Sequence, residues 1–325
     1  MKTAGRIALG LAVSAGLLVL VLWPLDLTVA WQRARAADVG WLAASLAVSL
    51  AVLVARGLRF RVLTTVADWR SVTAAIAAQN FLLRITPLRA GELSLPWFLR
   101  RRSGEPAART LVSLVLVRLA DLCVLTLAAL VAGLAWFGAG HAGALAMLGL
   151  GAALLITLLV RFRPALRLGV RLAAATARAL RLAHLGPVQR GFVKLEAALA
   201  DGEHLSGRRW LLVVVGTVAV AILQFVLFAC LLAAFGTAPD VRQLLVGASL
   251  AQITGALPLT TVGSFGTHEA GWIAGFVWVG MPVQEAALTA VATQIITLVF
   301  AGIFALPGWL YLGGGAAGAA EKTPT

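Results

Sequence analysis

Long apolar runs separated by short basic loops are the feature that most limits the folds open to this chain. Six of them approach the about 20 residues that a helix needs to cross the hydrocarbon core of a bilayer. They cover residues 7–23, 39–55, 110–136, 143–160, 210–235 and 286–312. Because 61% of the residues are hydrophobic and only 12% are charged, the chain could not cover a water-facing surface. The sequence therefore predicts an all-α integral membrane protein with six full spans.

The first apolar run, residues 7–23, can be interpreted as a signal peptide or as a membrane span. Basic residues precede it, and Ala34-Arg35-Ala36 resembles a signal-peptide cleavage site. That site lies well beyond the end of the run, past Asp26 and Arg33, which favours an uncleaved first span.

Two further apolar stretches are interrupted. Residues 71–99 contain a break between Arg84 and Glu92, and residues 241–280 contain one between Pro258 and Glu269. Irregular backbone cannot face lipid, because its N–H and C=O groups would lack partners. Such breaks must be covered by protein or line a wet cavity, and we interpret both stretches as re-entrant hairpins.

The basic residues predict the orientation. The net charge is +14, but the charges lie in short loops between apolar runs, a pattern that indicates membrane topology and excludes nucleic acid as a partner. With the N-terminus inside, the outside loops (24–38, 137–142 and 236–240 onward) hold only Arg33, Arg35 and Arg242. The sequence therefore predicts a multi-pass protein of the cytoplasmic (inner) membrane with both termini in the cytoplasm.

A repeated pattern of span, broken segment and span divides the chain. It recurs at about 39–136 and 210–312, within a single transmembrane domain covering 1–325. The two units enter the membrane from opposite sides, which predicts an inverted repeat. Such units point to a binding site near the membrane midplane. The alternative is that two loops merely share turn residues. The following positions correspond: Gln79 with Gln252, Pro87 with Pro258, Gly91-Glu92 with Gly266 to Glu269, and Arg118 with Gln294.

Ionisable residues at membrane depth make the first unit a candidate site. They are Arg84, Arg89, Glu92, Arg118 and Asp121. Buried charges are costly, so they are kept for pairing or function. Arg118 and Asp121 share a helix face and could pair, while the excess of arginine suits an anionic group such as phosphate. Alternatively, Arg84 and Arg89 extend to the cytoplasmic interface.

Glycines and hydroxyl residues before a new apolar helix make the second unit a candidate anion site. The residues are Thr260, Gly263, Ser264, Gly266, Thr267 and Glu269. Free N–H groups and the positive dipole end at a helix N-terminus favour anions, although an ordinary capping turn would have the same composition.

The long cytoplasmic loop, 161–209, carries a basic helical face. Its arginines fall within an arc of about 80° at helical spacing. They are Arg163, Arg167, Arg171, Arg178 and Arg181. This pattern is typical of an interfacial helix on anionic lipid, and the positive-inside bias alone would also produce it.

Several catalytic motifs are missing from the sequence. It contains no P-loop lysine motif, no HExxH and no GxSxG, and its carboxylates do not cluster as a divalent metal requires. We therefore expect a transporter rather than an enzyme, with no catalytic residue, metal site or cofactor.

The two broken segments resemble a known family. Residues 80–92 (NFLLRITPLRAGE) with Arg118-Leu-Ala-Asp121, and residues 257–269 (LPLTTVGSFGTHE), are similar to the transmembrane region of lysylphosphatidylglycerol synthases and their stand-alone, flippase-like relatives. The resemblance covers about residues 40–312. It implies lipid translocation without aminoacyl transfer, because the soluble synthase domain has no counterpart here. One departure is Gln294, where such relatives often carry arginine.

The expected function is that of a flippase-like transporter for an anionic lipid, either a phospholipid or a polyprenyl-phosphate-linked glycolipid. A lipid-modifying synthase or a glycosyltransferase is a candidate partner. The alternative is a membrane-embedded glycosyl- or lipid-group transferase, or a non-catalytic accessory subunit of a lipid-modifying enzyme. The headgroup, the direction and energy source of transport, and the oligomeric state do not follow from the sequence.

Overall fold

The chain folds into helices that pack side by side. The structure, a computed structural model, describes residues 27–86, 91–137, 142–161, 207–256 and 266–320, together with positions 164, 168, 170 and 171. Within these residues every regular element is a helix. In chain order the helices are α1 (Leu27–Arg35), α2 (Val39–Arg61), α3 (Trp69–Ile85), α4 (Ser94–Ser103), α5 (Ala107–Phe137), α6 (Ala142–Val160), α7 (Gly207–Ala234), α8 (Val241–Ala256), α9 (Thr267–Trp278) and α10 (Val283–Ala320).

Among the described residues, α2, α5, α7 and α10 are long and apolar enough to cross a membrane. They coincide with four predicted spans, those at 39–55, 110–136, 210–235 and 286–312, and confirm a multi-pass, all-α membrane protein. Helix α6, which has 19 residues, occupies the predicted span 143–160. The predicted first span lies outside the described residues, as does most of loop 161–209. Of the predicted basic helical face, only Arg171 is described.

The segment before α2 differs from the sequence analysis, which treated 24–38 as a loop. It contains the short helix α1. The guanidinium of Arg35 lies 4.8 Å from the centroid of the Trp31 ring. Residues four apart share a helix face, so helical spacing makes this cation–π contact available.

The broken segments each contain two short helices. Helices α3 and α4 have 17 and 10 residues, and α8 and α9 have 16 and 12. Each is shorter than the about 20 residues needed for a full crossing. The breaks at 87–90 and 257–265 lie outside the described residues.

Helices α2 and α7 pack antiparallel. The amide of Asp38 donates to the carbonyl of Ala234 at 2.9 Å, where α2 begins and α7 ends. Near the other end of α2, Arg59 donates to the Thr217 hydroxyl at 3.2 Å. Asp38 also caps α2, since its Oδ1 accepts from the amide of Gly40 at 2.7 Å and satisfies a helix-end donor.

Two further packings connect the first half of the chain to the second. Helix α3 packs on α10, where the rings of Phe81 and Trp309 meet edge to face at 5.5 Å. Helix α5 packs on α8, where the guanidinium of Arg242 lies 5.3 Å from the Trp136 ring. Thus α3 and α8, the first helices of the two broken segments, each pack on a spanning helix of the opposite half.

The two ends of the bundle differ in charge. We call the end at which α2 ends and α5 and α7 begin the basic end. Its described basic residues include Arg61, Arg70, Arg100, Arg101, Arg102, Arg109, Arg161, Arg208 and Arg209. Helix α10 also reaches this end, because Arg102 lies 4.6 Å from the Tyr311 ring. At the opposite end the described basic residues are Arg33, Arg35 and Arg242.

A buried carboxylate organises the turn between α2 and α3 at the basic end. Glu105 is 0% exposed and accepts hydrogen bonds from the amides of Thr65, Val66 and Ala67 at 2.8–3.2 Å. Burial by itself disfavours ionisation, but the hydrogen bonds outweigh it and hold the pKa of Glu105 below its usual value. The turn is therefore anchored to the start of α5.

Glycines let α8 and α9 approach closely. A Cβ added to Gly275 would lie 2.8 Å from the carbonyl oxygen of Gly247 on the facing helix. A Cβ added to Gly271 would overlap the side chain of Thr254. Small residues at a helix–helix contact are the usual means of close packing inside a membrane.

Candidate functional site

A cavity of ≈ 780 Å³ lies among the helices of both units. Its walls are largely apolar, and its charged lining residues are Arg56, Arg84, Glu92, Arg118 and Asp121. Lining residues of α7 run from Val220 to Phe228 and those of α10 from Gln294 to Phe304, in the middle part of both spanning helices. The cavity therefore lies at about mid-height of the bundle.

Three arginines from three helices face the cavity. Arg56 comes from α2, Arg84 from α3 and Arg118 from α5. The same cavity is lined by Asp121, which brings a negative charge to the three arginines. In a low-dielectric environment such like charges repel strongly unless counter-charges are present.

Both carboxylates that line the cavity are engaged with arginine. An oxygen of Glu92 lies 3.5 Å from Arg118. Asp121 forms a two-pronged ion pair with the buried Arg59, whose second nitrogen lies 3.2 Å from Oδ2. Sequence spacing suggested Arg118 as the partner of Asp121. Instead these two residues pair with different partners, because α2 and α5 both pack on α7, and the Arg59 side chain reaches Asp121.

Two glutamines hold cavity arginines. The Oε1 of Gln224, on α7, accepts from Arg56 at 2.9 Å. The Oε1 of Gln294, on α10, accepts from Arg84 at 3.2 Å. Both bonds join the first unit to the second. The glutamine at position 294 therefore has a specific contact that an arginine could not make with Arg84.

The residues predicted at the start of α9 lie beside the cavity rather than in its lining. Gly266 has a φ of 105°, and its amide donates to Glu269 Oε2 at 2.6 Å. Glu269 is 1% exposed. The Thr267 hydroxyl is buried and has no hydrogen-bond partner. This geometry is that of a capped helix start, in which the glutamate serves as one cap.

Four predicted site residues lie outside the described residues. They are Arg89, Thr260, Gly263 and Ser264. Within the part of the chain that the structure describes, His, Cys, Asp and Glu side chains do not come together in groups of three or more.

Sequence analysis missed part of this site. It ended the second span at residue 55, whereas α2 continues to Arg61 and carries Arg56 to the cavity and Arg59 to Asp121. The spacing of these two arginines, three residues apart directly after an apolar run, was the available signal. Gln224 was missed as an isolated amide within a predicted span.

His268 received no role in the sequence analysis, because no metal-ligand partner shares its spacing. It lines the cavity together with Gln252 from α8. Its ring lies 6.0 Å from that of Trp272, and a Cβ on Gly255 would lie 3.3 Å from it. The imidazole therefore lies between α8 and the Trp272 ring of its own helix.

The apolar spanning helices and the arginine-rich internal cavity define the class of this protein. It is a multi-pass membrane protein with a polar site inside the helix bundle. A family model described as the lysylphosphatidylglycerol synthase TM region matches residues 7–305. The chain belongs to this family, and the resemblance seen in the two broken segments is thereby confirmed. No curated protein and no solved structure is significantly similar to the chain.

Proposed function

We propose that this protein moves an anionic lipid, either a phospholipid or a polyprenyl-phosphate-linked glycolipid, across the cytoplasmic (inner) membrane. One observation carries the proposal. Arg56, Arg84 and Arg118 converge from three helices on an apolar-walled cavity at mid-height of the bundle.

The charge balance of the cavity favours an anionic occupant. Three guanidinium groups line it against two carboxylates, and one of these, Asp121, is paired with a fourth arginine, Arg59. A phosphate would offset the remaining positive charge, and guanidinium forks match its oxygen geometry. Retaining this many charges at membrane depth is expensive unless they have a function.

The cavity also has access from the side of the bundle. Leu93 and Val115 both line it, and they are 65% and 47% exposed, respectively. The cavity therefore reaches the surface beside α4 and α5, where a membrane protein meets lipid. Such an opening suits an amphiphile whose headgroup enters the cavity while its chains stay in the bilayer.

The arrangement of helices supports the proposal of two inverted repeats with re-entrant segments. The corresponding spans α2 and α7 run in opposite directions. A two-fold relation between the units would relate α3 to α8 and α10 to α5. It would therefore relate the packing of α3 on α10 to the packing of α8 on α5, and both packings are present. Rocking of one unit against the other would then expose the cavity alternately to the two sides.

Charge asymmetry supports the orientation. The positive-inside rule assigns the basic end to the cytoplasm. Helix α10 reaches that end, so the C-terminus would be cytoplasmic. If the N-terminus is cytoplasmic, a first span over residues 7–23 would carry the chain across the membrane to α1, which lies at the opposite end of the bundle.

The test is a transbilayer assay in vesicles that contain the purified protein and a fluorescent phosphatidylglycerol. Arg56→Gln, Arg84→Gln and Arg118→Gln should each slow lipid movement by about tenfold or more, because each removes a charge-assisted hydrogen bond to phosphate. Arg100→Gln is the matched control, since Arg100 is exposed on α4 and does not line the cavity.

Movement no faster than in protein-free vesicles would contradict the transport proposal. Wild-type rates in all three cavity variants would show instead that these arginines are structural. Turnover of a labelled lipid donor by the purified protein would favour the transferase alternative.

A further inference from the structure

Two of the three cavity arginines have no carboxylate partner. Among the described residues, no carboxylate oxygen lies within 4.0 Å of a guanidinium nitrogen of Arg56 or Arg84. The third arginine, Arg118, has Glu92 at 3.5 Å, and Asp121 is paired with an arginine outside the lining. The described lining therefore carries two positive charges that its own carboxylates do not offset.

Neutral amides hold these two arginines instead. The Oε1 of Gln224 accepts from Arg56 at 2.9 Å, and the Oε1 of Gln294 accepts from Arg84 at 3.2 Å. An amide oxygen fixes a guanidinium without cancelling its charge, whereas a carboxylate would do both. Both arginines line the cavity and are partly exposed, so a ligand in the cavity can reach them.

The buried carboxylate of Glu269 does not change this balance within the cavity. Glu269 is 1% exposed and lies outside the cavity lining. Its Oε2 accepts from the amide of Gly266 at 2.6 Å, so it serves the start of α9. Uncompensated charges at membrane depth are costly, and two of them call for a ligand that brings two negative charges.

The type of phosphate decides how many charges and oxygens a lipid offers. A phosphodiester, as in phosphatidylglycerol, carries one negative charge and two free oxygens. A phosphomonoester ends the headgroup, carries about 1.5 to 2 negative charges at pH 7 and presents three acceptor oxygens. Two uncompensated charges and three guanidinium groups from three helices match the monoester in both respects.

We infer that the preferred ligand of this cavity is a lipid that ends in a phosphomonoester. Its three terminal oxygens bind Arg56, Arg84 and Arg118. Gln224 and Gln294 are positioning residues that keep two of these charges available to it. The inference rests on the proposed function and narrows it, since a phosphodiester lipid such as phosphatidylglycerol becomes the weaker substrate.

The experiment compares fluorescent phosphatidic acid and phosphatidylglycerol with identical chains in vesicles that contain the full-length protein. Each rate is taken above that of protein-free vesicles. At about pH 8 phosphatidic acid should move at least about tenfold faster, the size of effect expected for one more charge-assisted hydrogen bond. A polyprenyl phosphate ends in the same group and is the second monoester probe. The faster of the two monoesters identifies the lipid chain.

The pH separates the two kinds of phosphate in a second way. The second ionisation of a phosphomonoester has a pKa of about 6, whereas a phosphodiester keeps its single charge. Lowering the pH from about 8 to about 5 should therefore bring the ratio of the two rates close to one. His268 lines the cavity and can change its charge in this range, but it acts on both lipids, so the ratio reports the phosphate.

Charge-introducing variants test the two glutamines. Gln224→Glu and Gln294→Glu each place a carboxylate at the atom that now accepts from an arginine, which cancels one of the two charges. Each should lower the ratio of the phosphatidic acid rate to the phosphatidylglycerol rate by about tenfold. The ratio does not depend on how much of the protein is folded. Gln284→Glu is the matched control, because Gln284 is exposed at the start of α10, and its ratio should equal that of wild type.

The outcomes separate this inference from the proposed function. Phosphatidylglycerol moving as fast as both monoesters, or faster, would overturn the inference and leave transport intact. A wild-type ratio in both glutamate variants would overturn the role given to Gln224 and Gln294. Failure to move any of the lipids above the protein-free rate would overturn the proposed function itself. Binding of inorganic phosphate as tightly as phosphatidic acid would overturn the assignment of a lipid as the ligand.

Discussion

Arg59 and Asp121 form an ion pair that joins α2 to α5 inside the bundle. Both ends of the guanidinium fork contact the carboxylate, and the Arg59 side chain is 3% exposed. Arg59 also donates to Thr217 on α7, so one arginine ties three spanning helices together. Two of the cavity arginines, Arg56 and Arg118, lie on the same helices as this pair but face an open volume.

Breaking this pair from one side should destabilise the protein. Asp121→Asn leaves Arg59 buried without a counter-charge, and we expect a loss of about 3 kcal/mol in unfolding free energy. The double variant Arg59→Met/Asp121→Leu should recover most of that loss, because no buried charge then remains unpaired. Thermal unfolding in detergent would measure both. Equal destabilisation of the single and double variants would contradict a role for the pair in stability.

Glu105 should make stability depend on pH. Its pKa is lower in the folded protein than the ordinary 4.5, so the folded state binds fewer protons than the unfolded state. The resulting stabilisation is complete above about pH 4.5 and is lost as the pH falls through the folded pKa.

Glu105→Gln is the variant that reports this effect. This substitution should lower the free energy of unfolding by about 1.5–3 kcal/mol at pH 7, since charge-assisted hydrogen bonds to the turn amides are lost. The difference from wild type should shrink as unfolding is followed from pH 6 to pH 3. A difference that stays constant over this range would exclude ionised Glu105 as its source.

The close contact between α8 and α9 should not tolerate a methyl group. Gly275→Ala would force its Cβ against the Gly247 carbonyl, and we expect a destabilisation of about 1–3 kcal/mol. Gly149→Ala in α6 is the matched control, because an added Cβ there meets no atom within 4 Å. Alanine favours helix over glycine, so the control should be neutral or stabilising by up to about 1 kcal/mol. Similar unfolding temperatures for both variants would contradict this packing.

Removing the carboxylate near Arg118 should strengthen binding of anionic lipid. In Glu92→Gln the partner 3.5 Å from Arg118 loses its charge, which leaves more positive charge in the cavity. The amount of co-purifying anionic lipid, measured by mass spectrometry, should rise by about fivefold, equivalent to about 1 kcal/mol. The increase should diminish at high salt, which screens exposed charges. Glu285→Gln, at the opposite end of the bundle, should leave the lipid content unchanged, and an equal rise there would point to a non-specific charge effect.

The four confirmed spans were predictable because hydrophobic length alone decides which segments can cross a bilayer. The arginines of the cavity were predictable in part. Arg84 and Arg118 stand out as charges within apolar sequence, whereas Arg56 lies where the apolar run ends and the helix continues. Local sequence does not report how far a helix extends beyond its apolar core.

The partners of these charges were not predictable. Spacing favoured Arg118 for Asp121, but α2 packs antiparallel on α7, which also packs on α5, and Arg59 reaches Asp121 instead. The contact of Arg84 with Gln294 joins residues 210 positions apart. Pairing inside the membrane depends on which helices are neighbours, and helix neighbours are not encoded in local periodicity.

The sequence by itself determined that the chain is an α-helical membrane protein of this family, with breaks at two places and an excess of arginine at membrane depth. Apolar length, positive charge and turn residues are local properties, so they can be read along the chain. Only the tertiary structure decided that arginines from one half and neutral amides from the other face a single cavity. That juxtaposition arises from packing between distant helices, which local sequence does not encode.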